Sequence, residues 1–398
     1  SDTNEHFFAV PPHQFRNVPT DVVVRFLDNG REFYRYKGRL MNASAGSPAS
    51  WKFLRGAPWE NGPKRPDWWI NKDNTISYKN KPVFPLLMTH VTTNDFEFVA
   101  SLGFTMIGLT APKGVSLDPY FARAAELGIT LLAPDDKDGR QGEGFIAAFD
   151  EPWGFSFDGC KEIYRNLRAA RSRPAELPVY GVQNNAQRNR EMAQMGDIIG
   201  IDPYCGGRSP LRFVYDKTYM ALRDCGGLKP VFTYVDSYGT AAQRPIYDEL
   251  RTKVYLAVIG GASAVGFYAW DEGDAKGATN TRNMPEQIEI FRLILAELKE
   301  FTPVLATPNL ADKPAFEPTA PRGFFGCAKK HGGKSYIILS SDLFAIDTRK
   351  GVFKSAAGKT AKLLYGPKFE GAAAELVFDA EGAAAITLPP LGTAVYEF

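Results

Sequence analysis

Cysteine and histidine are scarce in this chain, with four of each among 398 residues. Neither type is spaced as metal ligands are, so no metal site and no cofactor is expected. Cys205 and Cys225 can meet across neighbouring strand ends or remain free buried thiols. Long basic runs are missing too. The formal net charge is only +2, and no Lys/Arg cluster is long enough to make nucleic acid an expected partner. No apolar run approaches the roughly 20 residues of a membrane-spanning helix. The chain starts at Ser1, with neither Met nor a signal-like apolar stretch. That start fits a secreted or periplasmic protein from which a signal peptide has been removed.

What is present is apolar and aromatic. Hydrophobic residues make up 44% and charged residues 23%, enough for a large core in a globular chain. Six Trp, 17 Tyr and 28 Phe supply flat apolar faces for cores and, where exposed, for ligands.

Three regions follow from the pattern along the chain. Residues 1–80 read as a small N-terminal β region, with Val22–Leu27 and Arg31–Tyr36 alternating around an Asp28-Asn-Gly30 turn. A hairpin over Asn74–Pro82 leads into the next region. Residues 81–305 alternate strand-length apolar runs with helical stretches. Eight runs are countable: Val83–Thr89, Phe104–Leu109, Ile129–Ala133, Phe145–Phe149, Val179–Val182, Ile198–Ile201, Val231–Val235 and Ala262–Trp270. Helical patterns such as Asp95–Leu102 and Tyr120–Leu127 lie between them and stop at Gly103 and Gly128. Eight βα units predict a (β/α)8 TIM barrel, since a doubly wound sheet more often stops at five or six strands. Residues 306–398 turn to short alternating strands between Pro, Gly and Ala turns, which predicts an antiparallel β-sandwich.

A barrel of this kind keeps its chemistry at the C-terminal ends of its strands. Reading those ends in order yields His90, then Asp150 and Glu151, then Gln183 and Asn184. Asp202 and Tyr204 follow, then Asp236, and finally Trp270, Asp271 and Glu272. Carboxylates collect here, whereas a random surface would scatter them. The densest point is Gly144-Phe-Ile-Ala-Ala-Phe-Asp-Glu-Pro-Trp153, an apolar strand running into two acids, a proline and a tryptophan. Asp118, Asp135 and Asp136 read equally well as helix N-caps.

A pair of carboxyl groups beside aromatic faces is equipment for glycosidic bonds. One acid protonates the leaving oxygen, and a second group meets the anomeric carbon. Glu151 has the longer reach and is expected as general acid/base, with Trp153 as an apolar neighbour. Asp236 is the first candidate for nucleophile or base. Alternatively, Asp150 orients a substrate acetamido group whose own oxygen attacks. His90, Trp153, Gln183, Asn184, Asp202, Tyr204, Trp270, Asp271 and Glu272 are expected to contact the carbohydrate. A catalytically silent carbohydrate-binding barrel is the reading from another functional class.

The order of strand-four acid, strand-seven carboxylate and strand-eight tryptophan resembles glycoside hydrolase clan A. So do Ile76-Ser-Tyr-Lys-Asn-Lys-Pro-Val-Phe-Pro85, Asp197-Ile-Ile-Gly-Ile-Asp-Pro-Tyr204 and the closing Leu388–Phe398 segment. The resemblance implies a polysaccharide- or oligosaccharide-cleaving barrel with Glu151 as acid. Two positions depart from it, because clan A usually has Asn where Asp150 stands and Glu where Asp236 stands. The Asp150-Glu151-Pro152 run is instead similar to N-acetylhexosaminidases that work by substrate assistance, which implies that Asp150 positions the acetamido group.

Overall fold

The structure, a computed structural model, describes residues 20–28, 31–40, 67–71, 73–112, 115–132, 146–151, 178–183, 189, 197–205, 209–227, 229–237, 246–271, 280–311, 314–317, 323–367 and 371–398. The chain divides into two compact units, residues 1–65 and 66–398. In the first unit, β1 (Thr20–Asp28) and β2 (Arg31–Leu40) form the antiparallel hairpin expected from their alternation, with a bulge between Phe26 and Leu27.

The second unit opens with a small antiparallel sheet of β3 (Trp68–Ile70), β4 (Ile76–Tyr78) and β5 (Lys81–Val83). The barrel strands come next. They are β6 (Leu86–Thr92), β7 (Met106–Thr110), β8 (Thr130–Leu132), β9 (Ile146–Asp150), β10 (Val179–Gln183), β11 (Ile198–Ile201), β12 (Val231–Asp236) and β13 (Ala262–Tyr268). They form one eight-stranded sheet in the order β8-β7-β6-β13-β12-β11-β10-β9, and every ladder in it is parallel. The first and eighth strands are therefore neighbours, as closure of a (β/α)8 barrel requires. Strands buried on both faces need no polar alternation, which is why Ile198–Ile201 and Val231–Asp236 are buried at every residue.

Helices Phe96–Ser101, Asp118–Leu127, Arg212–Asp224, Tyr247–Gly260 and Pro285–Leu305 fall between or after these strands. Asp118–Leu127 carries Pro119 in its first turn and ends at Gly128, whose φ of 69° closes the helix in the left-handed conformation that glycine adopts without a Cβ clash. No described helix is long and apolar enough to cross a membrane.

The C-terminal strands form two antiparallel sheets. One contains β14 (Ala315–Glu317), β17 (Asp347–Val352) and β20 (Ala383–Leu388). The other contains β15 (Phe324–His331), β16 (Lys334–Ser341), β18 (Thr360–Tyr365), β19 (Glu375–Val377) and β21 (Thr393–Glu397). Their shared core includes Phe324, Leu339, Phe353, Ile386 and Tyr396, the two-layer packing that two apolar sheet faces demand.

Helix Tyr247–Gly260 is buried at every residue from Leu250 to Gly260, covered by barrel strands on one side and by β15, β16 and β21 on the other. Such a helix must satisfy its charges internally. Arg251 gives bonds of 3.0 and 2.7 Å to the two Glu297 oxygens and one of 2.7 Å to the Thr393 carbonyl, fastening barrel helices to the sheet region.

Candidate active site at the barrel mouth

Glu151 follows the last residue of β9. Asp150 pairs with Val182, and the Glu151 backbone N–H then donates to the Val182 carbonyl at 2.9 Å. Its φ is +39°, a region that non-glycine residues rarely occupy, and its side chain is half-buried. His90 is the second rim residue with this property, at φ +57°. It sits where the β6–β7 register slips between Met88 and Val91, and a bulge of this kind re-aims a side chain at a barrel rim. Backbone outliers of this sort cost on the order of 1–3 kcal/mol each and concentrate at functional positions.

The exposed His90 ring meets Tyr268 edge-on at 5.0 Å, and Tyr268 stacks on Tyr204 at 5.2 Å with 21° between planes. Three expected or neighbouring rim positions thus form one aromatic ledge. Tyr268 escapes a sequence reading that runs strand eight to Trp270, whereas the strand stops at Tyr268 itself.

Asp236 faces away from open solvent, at 2% exposure. Its Oδ1 accepts the Cys205 backbone N–H at 3.0 Å, and its Oδ2 pairs with Lys253 Nζ at 3.0 Å. Lys253 also reaches Glu249 at 2.9 Å. Burial alone would depress this ammonium, but Asp236 and Glu249 together hold it above the ordinary lysine value. Burial, and next the Asp236 charge, push the Cys205 thiol up to about 12. Asp202 follows the last residue of the neighbouring strand and is 5% exposed, and the Asp202–Cys205 turn is held by the Tyr204 N–H donating to the Asp202 carbonyl at 2.8 Å.

Several residues expected to contact the carbohydrate are engaged inside the protein. Trp270 is 1% exposed and gives its indole N–H to Asp95 at 2.9 Å; it packs in the core and offers no platform at the mouth. The strand ends before it, so its side chain no longer follows the alternation assumed for a rim position. Gln183 is also buried, and its amide donates to Asn189, which donates to Asp224 at 3.1 Å. Asp271 accepts from Asn280 and Arg282, both at 2.6 Å. Cys205, Cys225 and Cys327 are free and buried, so Cys205 and Cys225 are not bonded. Trp153, Asn184 and Glu272 lie outside the described residues, as does the Asp150 side chain. Among the described residues, no group of three or more His, Cys, Asp or Glu side chains is placed to hold a metal ion.

No protein-family model matches the chain, and no curated protein is similar to it in sequence. Among solved structures it is similar to Eubacterium rectale Amy13B at 8% identity, over 85% of this chain and 98% of that one, with a TM-score of 0.51. A GH30 endoxylanase from Clostridium papyrosolvens is similar at 11% identity over 79% of this chain and 95% of that one, at a TM-score of 0.49. A maltogenic alpha-amylase from Thermotoga neapolitana is similar at 12% identity over 79% and 98%, also at 0.49. The likeness to Amy13B supports the fold class that the ladders define, a (β/α)8 barrel with a β-rich C-terminal region.

Proposed function

We propose that this barrel is a glycoside hydrolase acting on an oligo- or polysaccharide at its C-terminal mouth, with Glu151 as general acid/base. The observation that carries the reading is Glu151 itself. A half-buried carboxyl group stands at a strand end, on a left-handed backbone pinned to the next strand. The His90–Tyr268–Tyr204 ledge lies on the same rim and supplies faces for pyranose rings. A secreted or periplasmic location belongs to the same proposal, because polymeric glycans are met outside the cytoplasm.

Asp236 is the first candidate that the sequence offers for the second group. With both oxygens engaged inside the protein, it fits better as a positioning residue that holds the Cys205 turn. This engagement favours the substrate-assisted variant, in which Asp150 orients an acetamido group and the substrate's own oxygen attacks.

The test compares wild type with Glu151→Gln on aryl glycosides. Turnover of a poorly activated substrate should fall by roughly 10²–10⁴, with sugar affinity retained and a smaller loss on a leaving group that needs no protonation. A wild-type protein that binds glycans without hydrolysing any would sink the enzyme reading and favour a silent binding barrel. Faster turnover of 2-acetamido than of 2-hydroxy substrates, abolished by Asp150→Ala, supports substrate assistance; equal rates count against it.

A further inference from the structure

A cavity of about 200 Å³ lies at the opposite, N-terminal end of the barrel, where Ala262 begins β13 beside Val231 at the start of β12. The Asp73–Ile76 segment, Val83, the turn from Leu305 to Asn309 and Lys329 of β15 line it. Asp73, Asn74, Thr75, Ser263, Thr307, Asn309 and Lys329 put polar side chains around this space. Asn74 gives its amide N–H to the Gly227 carbonyl, and Asn309 gives its own to the Val258 and Ile259 carbonyls at 3.1 Å. These donations fix both amides, since the reverse orientation would set oxygen against oxygen. The Oδ1 atoms of Asn74 and Asn309 are buried and accept no hydrogen bond among the described residues. Lys329, 2% exposed, donates to the Leu305 carbonyl at 3.4 Å and to the Thr307 carbonyl. An ammonium has three N–H groups, so one remains.

We propose that this cavity is a second ligand site, which takes a neutral polyhydroxylated ring such as a monosaccharide or cyclitol. An anion is disfavoured, because two fixed amide oxygens and the carbonyl ends of helices Tyr247–Gly260 and Pro285–Leu305 converge here. A cation is disfavoured by the Lys329 ammonium. A hydroxylated ring answers both demands. Its hydroxyls donate to Asn74 and Asn309, one hydroxyl oxygen accepts from Lys329, and its C–H face lies on Ile76, Val83 and Ala262. At about 30 Å³ of liquid volume per water, the space equals roughly six or seven waters, which suits one ring and no polymer.

The experiment is saturation-transfer NMR on the full chain with glucose and myo-inositol as probes. Wild type should show ring-proton transfer, Tyr268→Ala, which weakens the ledge at the barrel mouth, should retain it, and Asn309→Leu should weaken affinity at least tenfold. Should Asn309→Leu fail to fold, Thr307→Phe fills the cavity from its wall and should give the same loss while melting cooperatively. Transfer that vanishes in Tyr268→Ala but survives in the cavity variants would place the binding at the barrel mouth and overturn the proposal. Absence of transfer in wild type would overturn it as well, leaving the cavity to water.

Discussion

Lys253 Nζ lies 3.0 Å from Asp236 Oδ2, with the two side chains 1% and 2% exposed. The pair joins helix Tyr247–Gly260 to the end of β12. Through the Cys205 N–H on Asp236 Oδ1, it also joins the turn carrying Asp202 and Tyr204. Removing one partner strands a buried charge, which typically costs about 3–5 kcal/mol, whereas replacing both with apolar groups costs far less. Lys253→Met should therefore lower the unfolding free energy read from urea denaturation by an amount of that order, and Lys253→Met/Asp236→Leu should recover much of it. A single substitution that costs under about 1 kcal/mol would show that the pair has no structural role.

Tyr268 links His90 and Tyr204 into one ledge. Aromatic contacts of this geometry contribute about 0.5–1.5 kcal/mol beyond the area they bury. Tyr268→Ala should raise the KM for an oligosaccharide up to roughly tenfold while leaving the melting temperature within a few degrees. Tyr268→Phe should stay near wild type. Equal KM values for Ala and wild type would remove the ledge from the binding surface.

The barrel is legible in the sequence because buried parallel strands are nearly continuous apolar runs. Ile198–Ile201 coincides with its strand residue for residue, and the other seven runs overlap theirs. Strand ends are less legible. Side-chain direction there depends on where a ladder stops, as at Tyr268, and on bulges such as that at Met88–Val91. A hydropathy pattern carries neither, which is why Trp270 reads as a rim residue and packs as a core one. Lys253 and Arg251 are illegible for a different reason. Their burial rests on Asp236 and on Glu297, both distant in sequence or across a helix pair.

Gly200 lies inside β11 opposite Val182 of β10. A Cβ there would come within 2.7 Å of the Gly181 carbonyl oxygen and 3.1 Å of the Val182 Cα. Both are backbone atoms of a central strand, so the clash cannot relax by a rotamer change. Gly200→Ala should destabilise the fold by at least about 1–3 kcal/mol, read by chemical denaturation. A variant as stable as wild type would mean that the β10–β11 spacing is looser than described.

Lys329 supplies a pH signature. An exposed lysine releases its proton near 10.4. Burial pulls Lys329 down to about 8 in the folded chain, against an opposing contribution from Cys327. Below about pH 8 both states carry the proton, and the cost of the buried charge is fully present. Between about 8 and 10.4 the unfolded chain binds more protons than the folded one, so stability rises with pH. The rise totals on the order of 3 kcal/mol at 1.36 kcal/mol per unit. Burial pushes the Cys327 thiol from 9.0 up to about 12, and that group works in the opposite sense from pH 9 upward. The measurement therefore compares wild type with Lys329→Met at each pH. Relative to the variant, wild type should gain stability steadily from about pH 8 to pH 10. A difference that stays flat across this window would place the lysine titration near its ordinary value, with a solvated rather than a buried ammonium.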